Sequence, residues 1–182
     1  MNRLKFFMAV AIASSMLQAC NQDQGISSNA SQKDSANIKA AAPEAAVLFS
    51  DEIINDAYTH YSSLKNALVA SNVDTAQQAA LSLSEALNKI KGCQNTADIA
   101  KNIAGSSDLV VQRKDFTTLN SDFVALLKHA DVKEGTVFVQ YCPMANAGKG
   151  GYWMSSNEEI RNPYYGDEML NCGEVKEKFT KK

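Results

Sequence analysis

Sulfur-bearing residues near the C-terminus have a spacing that could support metal chemistry. Cys142 and Met144 lie at positions i and i+2, which would place both sulfurs on one side of an extended strand. Met169 and Cys172 lie at i and i+3 and share a face if the segment makes a helical turn. Thiolate and thioether together suit a soft ion such as Cu(I), whereas Zn(II) more often recruits His and Cys. Cys142, Met144, Met169 and Cys172 are therefore the candidate metal ligands.

The same two cysteines could instead form a disulfide. In an oxidising compartment, closing the loop between Cys142 and Cys172 would stabilise the fold by roughly 3.5 to 4 kcal/mol in the chain-entropy model. Met144 and Met169 would then fill the core. A third alternative leaves both thiols buried and unpaired. Cys93 has no obvious partner under any of these interpretations.

Sequence patterns typical of enzymes are missing. No serine lies in a nucleophile-elbow pattern, no His-rich motif indicates a hydrolytic zinc, and no Gly-rich phosphate loop follows a strand. A cysteine nucleophile would need a base, and His60 and His129 offer no recognisable partner spacing. We therefore expect a protein that is not an enzyme.

The first residues have the order of a bacterial signal peptide. Two basic residues are followed by an apolar run from Phe6 to Leu17, and the small residue Ala19 precedes Cys20. As a helix this run would reach only about 18 Å, which is too short to cross a hydrocarbon core of roughly 30 Å. The segment ending at Cys20 resembles a lipobox, so we expect residues 1–19 to be removed and Cys20 to be lipidated. Asn21 favours sorting to the outer membrane.

Composition divides the rest of the chain into a tether and one domain. Residues 21–43 are almost all small or polar, and cannot bury enough surface to fold. As a flexible chain they would span roughly 25 Å. We therefore expect a lipidated cysteine and tether over residues 20–43, and one domain over residues 44–182. The basic stretch at 176–182 is interpreted as a solvated tail.

The formal charge argues against nucleic acid as a partner. The whole chain carries −2, and loss of residues 1–19 with their two positive charges makes this −2 − 2 = −4. No basic patch or recognition motif offsets this negative balance. We therefore expect no binding to nucleic acid.

Helical periodicity dominates residues 50–130. Apolar residues at spacings of three and four predict a first helix after Ser50-Asp51-Glu52 and a second after Asp74, which ends near Gly92. The very short turn between them predicts an antiparallel hairpin. A shorter third helix is predicted from Thr96 to Gly105, and a fourth over residues 116–130.

Near Asp131 the period changes from about 3.6 to 2. The stretch Thr136 to Cys142 is β-branched and aromatic, which predicts a strand. Glycines at 148–151 predict a turn, residues 152–154 a second short strand, and residues 162–166 another turn. The predicted fold class is mainly α: a bundle of about four helices with a small irregular β/turn C-terminal element.

Several blocks of this sequence resemble one family. The blocks are Tyr61 to Val69, Tyr141-Cys142-Pro143-Met144-Ala145, Gly151-Tyr152-Trp153, Ile160-Arg161-Asn162-Pro163-Tyr164-Tyr165-Gly166-Asp167 and Met169-Leu170-Asn171-Cys172-Gly173. The family is a domain of unknown function found in free-standing envelope lipoproteins and as the C-terminal module of periplasmic adaptor subunits in heavy-metal efflux systems. The resemblance covers about residues 50–178 and implies that Cys142, Met144, Met169 and Cys172 handle a soft metal. We expect a chain without the hairpin and barrel domains of the adaptors, and therefore without a direct role in pump assembly.

These features lead to one expected function and one alternative. We expect a periplasmic lipoprotein of the bacterial cell envelope, anchored to the membrane through its lipid. It would bind or hand on Cu(I) and be linked to heavy-metal efflux or resistance, with efflux components as partners. The alternative is a disulfide-stapled interaction module that docks on an envelope or efflux complex without binding metal.

Overall fold

The computed structural model describes residues 44–181. Within that range four α-helices of twelve or more residues follow one another, and each packs on the next: α1 (Glu52–Val69), α2 (Val73–Asn88), α3 (Gln94–Gly105) and α4 (Leu109–Lys128). A short helical segment, Ala145–Gly148, follows later in the chain. Asp51, Asn72 and Asp108 cap α1, α2 and α4, because their side-chain oxygens accept backbone N–H bonds from the first helical turn. The mainly α prediction is confirmed.

Two small antiparallel sheets follow or flank the helices. A two-stranded sheet pairs β1 (Leu48–Phe49) with β2 (Val132–Glu134). A three-stranded sheet has the order β4-β3-β5, with β3 (Thr136–Cys142) in the centre between β4 (Gly151–Ser155) and β5 (Glu174–Thr180). The predicted strand and the second short strand are both present, so the small β element is confirmed.

The three-stranded sheet packs on the helical bundle through aromatic residues and a buried network of hydrogen bonds. The ring of Tyr61 stacks between those of Phe116 and Phe123, with centroid distances of 5.7 and 4.6 Å. Its hydroxyl donates to Asn120 Oδ1 at 2.5 Å and accepts from the backbone N–H of Met154 in β4 at 2.9 Å. One side chain therefore connects α1, α4 and the sheet.

The start of helix α4 and the C-terminal stretch both differ from the predicted elements. Helix α4 begins seven residues before the predicted Phe116, because Asp108 Oδ1 accepts the N–H of Val110 at 2.8 Å and caps it there. The stretch interpreted as a solvated tail is largely strand β5, in which Val175 and Phe179 are half-buried between exposed lysines and glutamates. Charged side chains on an edge strand prevent it from pairing with other chains. Because these charges interrupt the apolar pattern, the sequence did not predict this strand.

The predicted signal peptide (1–19) and the tether with Cys20 (20–43) lie outside the described residues. Among residues 44–181, no helix combines the length and the apolar character needed to cross a bilayer.

Candidate functional site

The two C-terminal cysteines are joined. Cys142 ends β3, Cys172 follows the turn that precedes β5, and their sulfurs form a disulfide with a Cα–Cα distance of 5.7 Å. Cys142 is fully buried and Cys172 is half-buried. Of the alternatives that the spacing allowed, the structure contains the disulfide. The bridge fixes the segment before β5 to the centre of the sheet.

Met144 does not share a face with Cys142, contrary to the expectation from their spacing. Strand β3 ends at Cys142, and Met144 has a helical backbone conformation (φ −85°, ψ −14°). The rule that i and i+2 point the same way holds only while a strand continues. As a result Met144 is 53% exposed while Cys142 is buried.

Met169 lies next to Cys172 through a turn. The N–H of Cys172 donates to the carbonyl oxygen of Met169 at 3.0 Å, which closes a turn of the i to i+3 type. Both residues are half-buried against neighbouring parts of the domain. A turn is therefore present between them, but Met169 itself (φ −144°, ψ 48°) is not helical.

The segment Asn162 to Gly166 holds the disulfide in place. Asn162 is fully buried; its side-chain amide donates to the carbonyl of Cys172 at 3.0 Å, and its Oδ1 accepts the N–H of Tyr164 at 2.8 Å. The hydroxyl of Tyr164 donates to the carbonyl of Tyr152 at 2.5 Å. That of Tyr165 donates to the carbonyl of Met144 at 2.6 Å. These polar groups organise the backbone around both cysteines.

Arg113 of α4 fastens the same segment to the helices, and sequence analysis did not find it. Its Nε donates to the carbonyl of Pro163 at 2.9 Å, and its Nη2 donates to the carbonyl of Leu68 and the hydroxyl of Ser71, both at 3.0 Å. Leu68 is in the last turn of α1, where a cation also complements the helix dipole. An arginine within a helix carries no sequence signal for such a role, because three distant segments must first meet.

Close packing around the disulfide requires small residues. A Cβ on Gly173, whose φ is +147°, would lie 2.8 Å from the ring of Trp153. One on Gly151 would lie 2.6 Å from the ring of Tyr164. Trp153 and Tyr164 are buried and belong to the same hydrophobic core as the apolar faces of the helices.

The remaining candidate groups do not converge on a metal. Over residues 44–181, no group of three or more His, Cys, Asp or Glu side chains could hold a metal ion. In the disulfide the two principal sulfurs are not thiolates, and a soft ion would require their reduction. His60 bonds Asp56 at 3.3 Å on the exposed side of α1. Cys93 is free at the start of α3, where burial and then the nearby Asp122 raise its pKa.

Comparison with known proteins gives a match over most of the helical bundle and strand β2. Residues 57–135 match the model of a family described as "Protein of unknown function (DUF3347)". The match runs from α1 to the end of the β2 region, and leaves Cys142 and Cys172 outside it. No curated protein and no solved structure matches the chain. The similarity therefore supports a domain-of-unknown-function family and says nothing about the disulfide element.

Proposed function

We propose that this chain is a non-catalytic binding module of the bacterial cell envelope, stapled by the Cys142–Cys172 disulfide and tethered to the membrane through a lipid on Cys20. It docks on an envelope or efflux complex. The observation that carries this proposal is the disulfide itself, with a Cα–Cα distance of 5.7 Å. Disulfides persist in oxidising compartments such as the periplasm, which agrees with the signal-peptide pattern of the first nineteen residues.

The use of the distinctive motif residues supports a scaffold rather than a reaction site. Asn162, Tyr164 and Tyr165 direct their polar groups to backbone carbonyl or N–H groups of the domain. Groups used in this way fix conformation and are not available to a substrate. A rigid element of this kind suits a surface that must keep one shape for a partner.

The chemistry of the possible nucleophiles supports the same interpretation. A disulfide sulfur is not a nucleophile, and the raised pKa of Cys93 disfavours its thiolate. His60 is bonded to a surface carboxylate on its own helix. We infer that the module binds and does not catalyse.

Cu(I) binding in the reduced state is the second candidate function. It is favoured by the short Cα–Cα distance of 5.7 Å between the two cysteines and by the turn that places Met169 beside Cys172. Reduction of the bridge would release two thiolates in a partly apolar setting, and soft sulfur ligands select Cu(I). Met144 could join them only after the residues that follow β3 rearrange, because its side chain is largely exposed.

Competition with a Cu(I) chelator separates the two candidates. Purified without reductant, the stapled module does not compete for the ion. If the second candidate is correct, the reduced protein takes up one Cu(I), either Cys142→Ser or Cys172→Ser abolishes uptake, and Met169→Leu weakens it less, since thioethers are weaker donors. Cys93→Ser is the control and changes neither result. Failure of the reduced protein to compete removes the Cu(I) candidate and leaves the module.

Anchoring is tested separately. Cys20→Ser should release the protein from membranes or block its processing, because it removes the residue that would carry the lipid. Unchanged processing and membrane fractionation would contradict the anchor.

A further inference from the structure

An open groove of about 730 Å³ lies between α4 and the three-stranded sheet. The second half of α4, from Thr117 to Lys128, forms one wall, and Val139 and Tyr141 of β3 lie opposite it. The turn at 149–151 closes one end. Neither cysteine of the disulfide lines the groove, although Gly151 at its end pairs with Cys142 across β3 and β4.

The groove presents aromatic surface to solvent. Tyr152 is 47% exposed, and its ring centroid is 4.5 Å from that of the half-buried Tyr141. Exposed tyrosines beside a concave surface are typical of the residues that dominate binding energy in protein interfaces. The pair offers a stacking surface for an apolar or aromatic side chain.

Positive charge surrounds these rings. Three lysines line the groove, Lys128, Lys149 and Lys176, against one acidic residue, Glu177. This local balance is opposite in sign to the chain as a whole, whose formal charge is −2. Lys149 forms no ion pair within the described part of the chain. Lys128 and Lys176 pair with the exposed carboxylates of Glu177 and Glu174. Exposed ion pairs contribute little to stability, so a carboxylate of a ligand can replace these partners easily.

A β-bulge directs one of these lysines toward the groove. Val139 pairs with Glu177 and Gln140 pairs with Val175, so Lys176 is the extra residue in β5. Its Nζ lies 5.5 Å from the Tyr141 ring centroid. Lys178, two residues further on, lies 5.1 Å from the ring of Phe138, which points to the other face because side chains alternate along β3. Bulges of this kind re-aim side chains next to functional sites.

A strained turn presents Lys149. Asn146 and Ala147 both have left-handed backbones, with φ of 54° and 57°, a conformation disfavoured for residues that have a Cβ. Thr117 of α4 donates to Asn146 Oδ1 at 3.0 Å, and Asn146 Nδ2 donates to the carbonyl of Gly150 at 2.9 Å, which holds the turn at the groove. Strain that the surrounding structure maintains is concentrated at functional sites.

We propose that this groove binds an acidic peptide segment of a partner protein. The lysines take the carboxylates, and the exposed surface of the Tyr141–Tyr152 pair takes an apolar side chain. This assignment rests on the proposed function as an interaction module and names the chemistry of its partner. Charge complementarity selects an acidic segment over a neutral or basic one.

Fluorescence anisotropy with a labelled peptide of alternating glutamate and phenylalanine tests the assignment on the disulfide-bonded protein. The expected result is saturable binding that weakens with salt, and none to the peptide with lysine in place of glutamate. Lys149→Gln combined with Lys176→Gln should weaken binding by about tenfold or more. Glu177→Gln should strengthen it, because the only acidic residue lining the groove loses its charge.

Lys178→Gln is the matched control. Lys178 also lies on β5 over an aromatic ring and pairs with a glutamate, Glu158, at 2.7 Å, but on the opposite face. Binding by this variant should equal that of the wild type. Equal binding of both peptides, no binding, or equal loss in Lys178→Gln and in the double variant would overturn the groove assignment. A thiol count on the same sample tests the proposed function separately from the groove. Free thiols at Cys142 and Cys172 would contradict the disulfide-stapled module, whatever the result with the peptides.

Discussion

The side-chain amide of Asn162 donates a hydrogen bond to the backbone carbonyl of Cys172, with an N–O distance of 3.0 Å. Asn162 is fully buried, and its Oδ1 also accepts the N–H of Tyr164. The Asn-Pro-Tyr-Tyr-Gly segment and the disulfide are therefore one structural unit, and Arg113 joins that unit to α1 and α4.

Removing the Asn162 side chain should destabilise this unit. Asn162→Ala leaves the half-buried carbonyl of Cys172 and the buried N–H of Tyr164 without these partners, so we expect the free energy of unfolding to fall by about 3 kcal/mol. Urea denaturation without reductant measures it. The neighbouring Asn171 is exposed, and Asn171→Ala should stay within about 0.5 kcal/mol of the wild type. Equal effects of the two changes would refute the role given to Asn162.

Two buried tyrosines of α1 form a matched pair. The hydroxyl of Tyr61 has two partners, Asn120 and the N–H of Met154, whereas the buried hydroxyl of Tyr58 makes no well-formed hydrogen bond among the described residues and has only Ser62 as a nearby hydroxyl partner. Tyr61→Phe should lower the free energy of unfolding by about 2 kcal/mol, while Tyr58→Phe should leave it unchanged or raise it slightly. Thermal or urea unfolding of both variants measures the difference. A larger loss in Tyr58→Phe would contradict the network.

The buried tyrosines predict weakening at alkaline pH. Burial raises the pKa of Tyr58, Tyr61 and Tyr164 above the ordinary 10.0. At a pH between 10.0 and the raised pKa of such a tyrosine, the unfolded chain therefore holds fewer protons than the folded one. Their contribution to stability is complete below pH 10 and declines as the pH rises further. Each should add about 1.4 kcal/mol per pH unit to the decline. Tyr58→Phe should make the decline shallower; an identical slope in that variant would contradict the assignment.

Substituting Glu44 should destabilise the protein more than substituting Lys65, although the two residues form one ion pair. Lys65 exposes only 3% of its side chain, and burial lowers its pKa although Glu44 acts against this. Glu44→Gln leaves that charge without its partner and should cost about 2 to 3 kcal/mol at pH 7, whereas Lys65→Met should stay within about 1 kcal/mol. In Glu44→Gln the loss should shrink as the pH rises toward the ordinary lysine value of 10.5, because the unfolded state then binds more protons. Urea unfolding of both variants at pH 7 and at a higher pH tests these two expectations. Equal losses of unfolding free energy in Glu44→Gln and Lys65→Met would contradict the role given to the pair.

Local periodicity predicts most of the helices and strands. It does not predict features that depend on contacts between segments distant in the sequence. The helices followed from apolar spacing, and the strand ending at Cys142 from its composition. Strand β5 was missed because its solvent-exposed lysines and glutamates are what an edge requires.

The candidate site shows the same division. Sequence spacing identified Cys142 and Cys172 but could not choose between bridge and metal, because either requires the two sulfurs to be close. The placement of Met144 beside Cys142 was wrong because the strand ends at Cys142. Arg113 and the groove lysines gave no signal, since their roles arise only where separate elements meet.

A thiol count tests most directly whether the Cys142–Cys172 disulfide is present in the cell. The protein is extracted from the cell envelope, alkylated at once without reductant, and its intact mass and peptides are measured. Of Cys93, Cys142 and Cys172, only Cys93 should carry the alkyl group, with Cys142 and Cys172 recovered as one linked peptide pair. Alkylation of all three cysteines would contradict the stapled module.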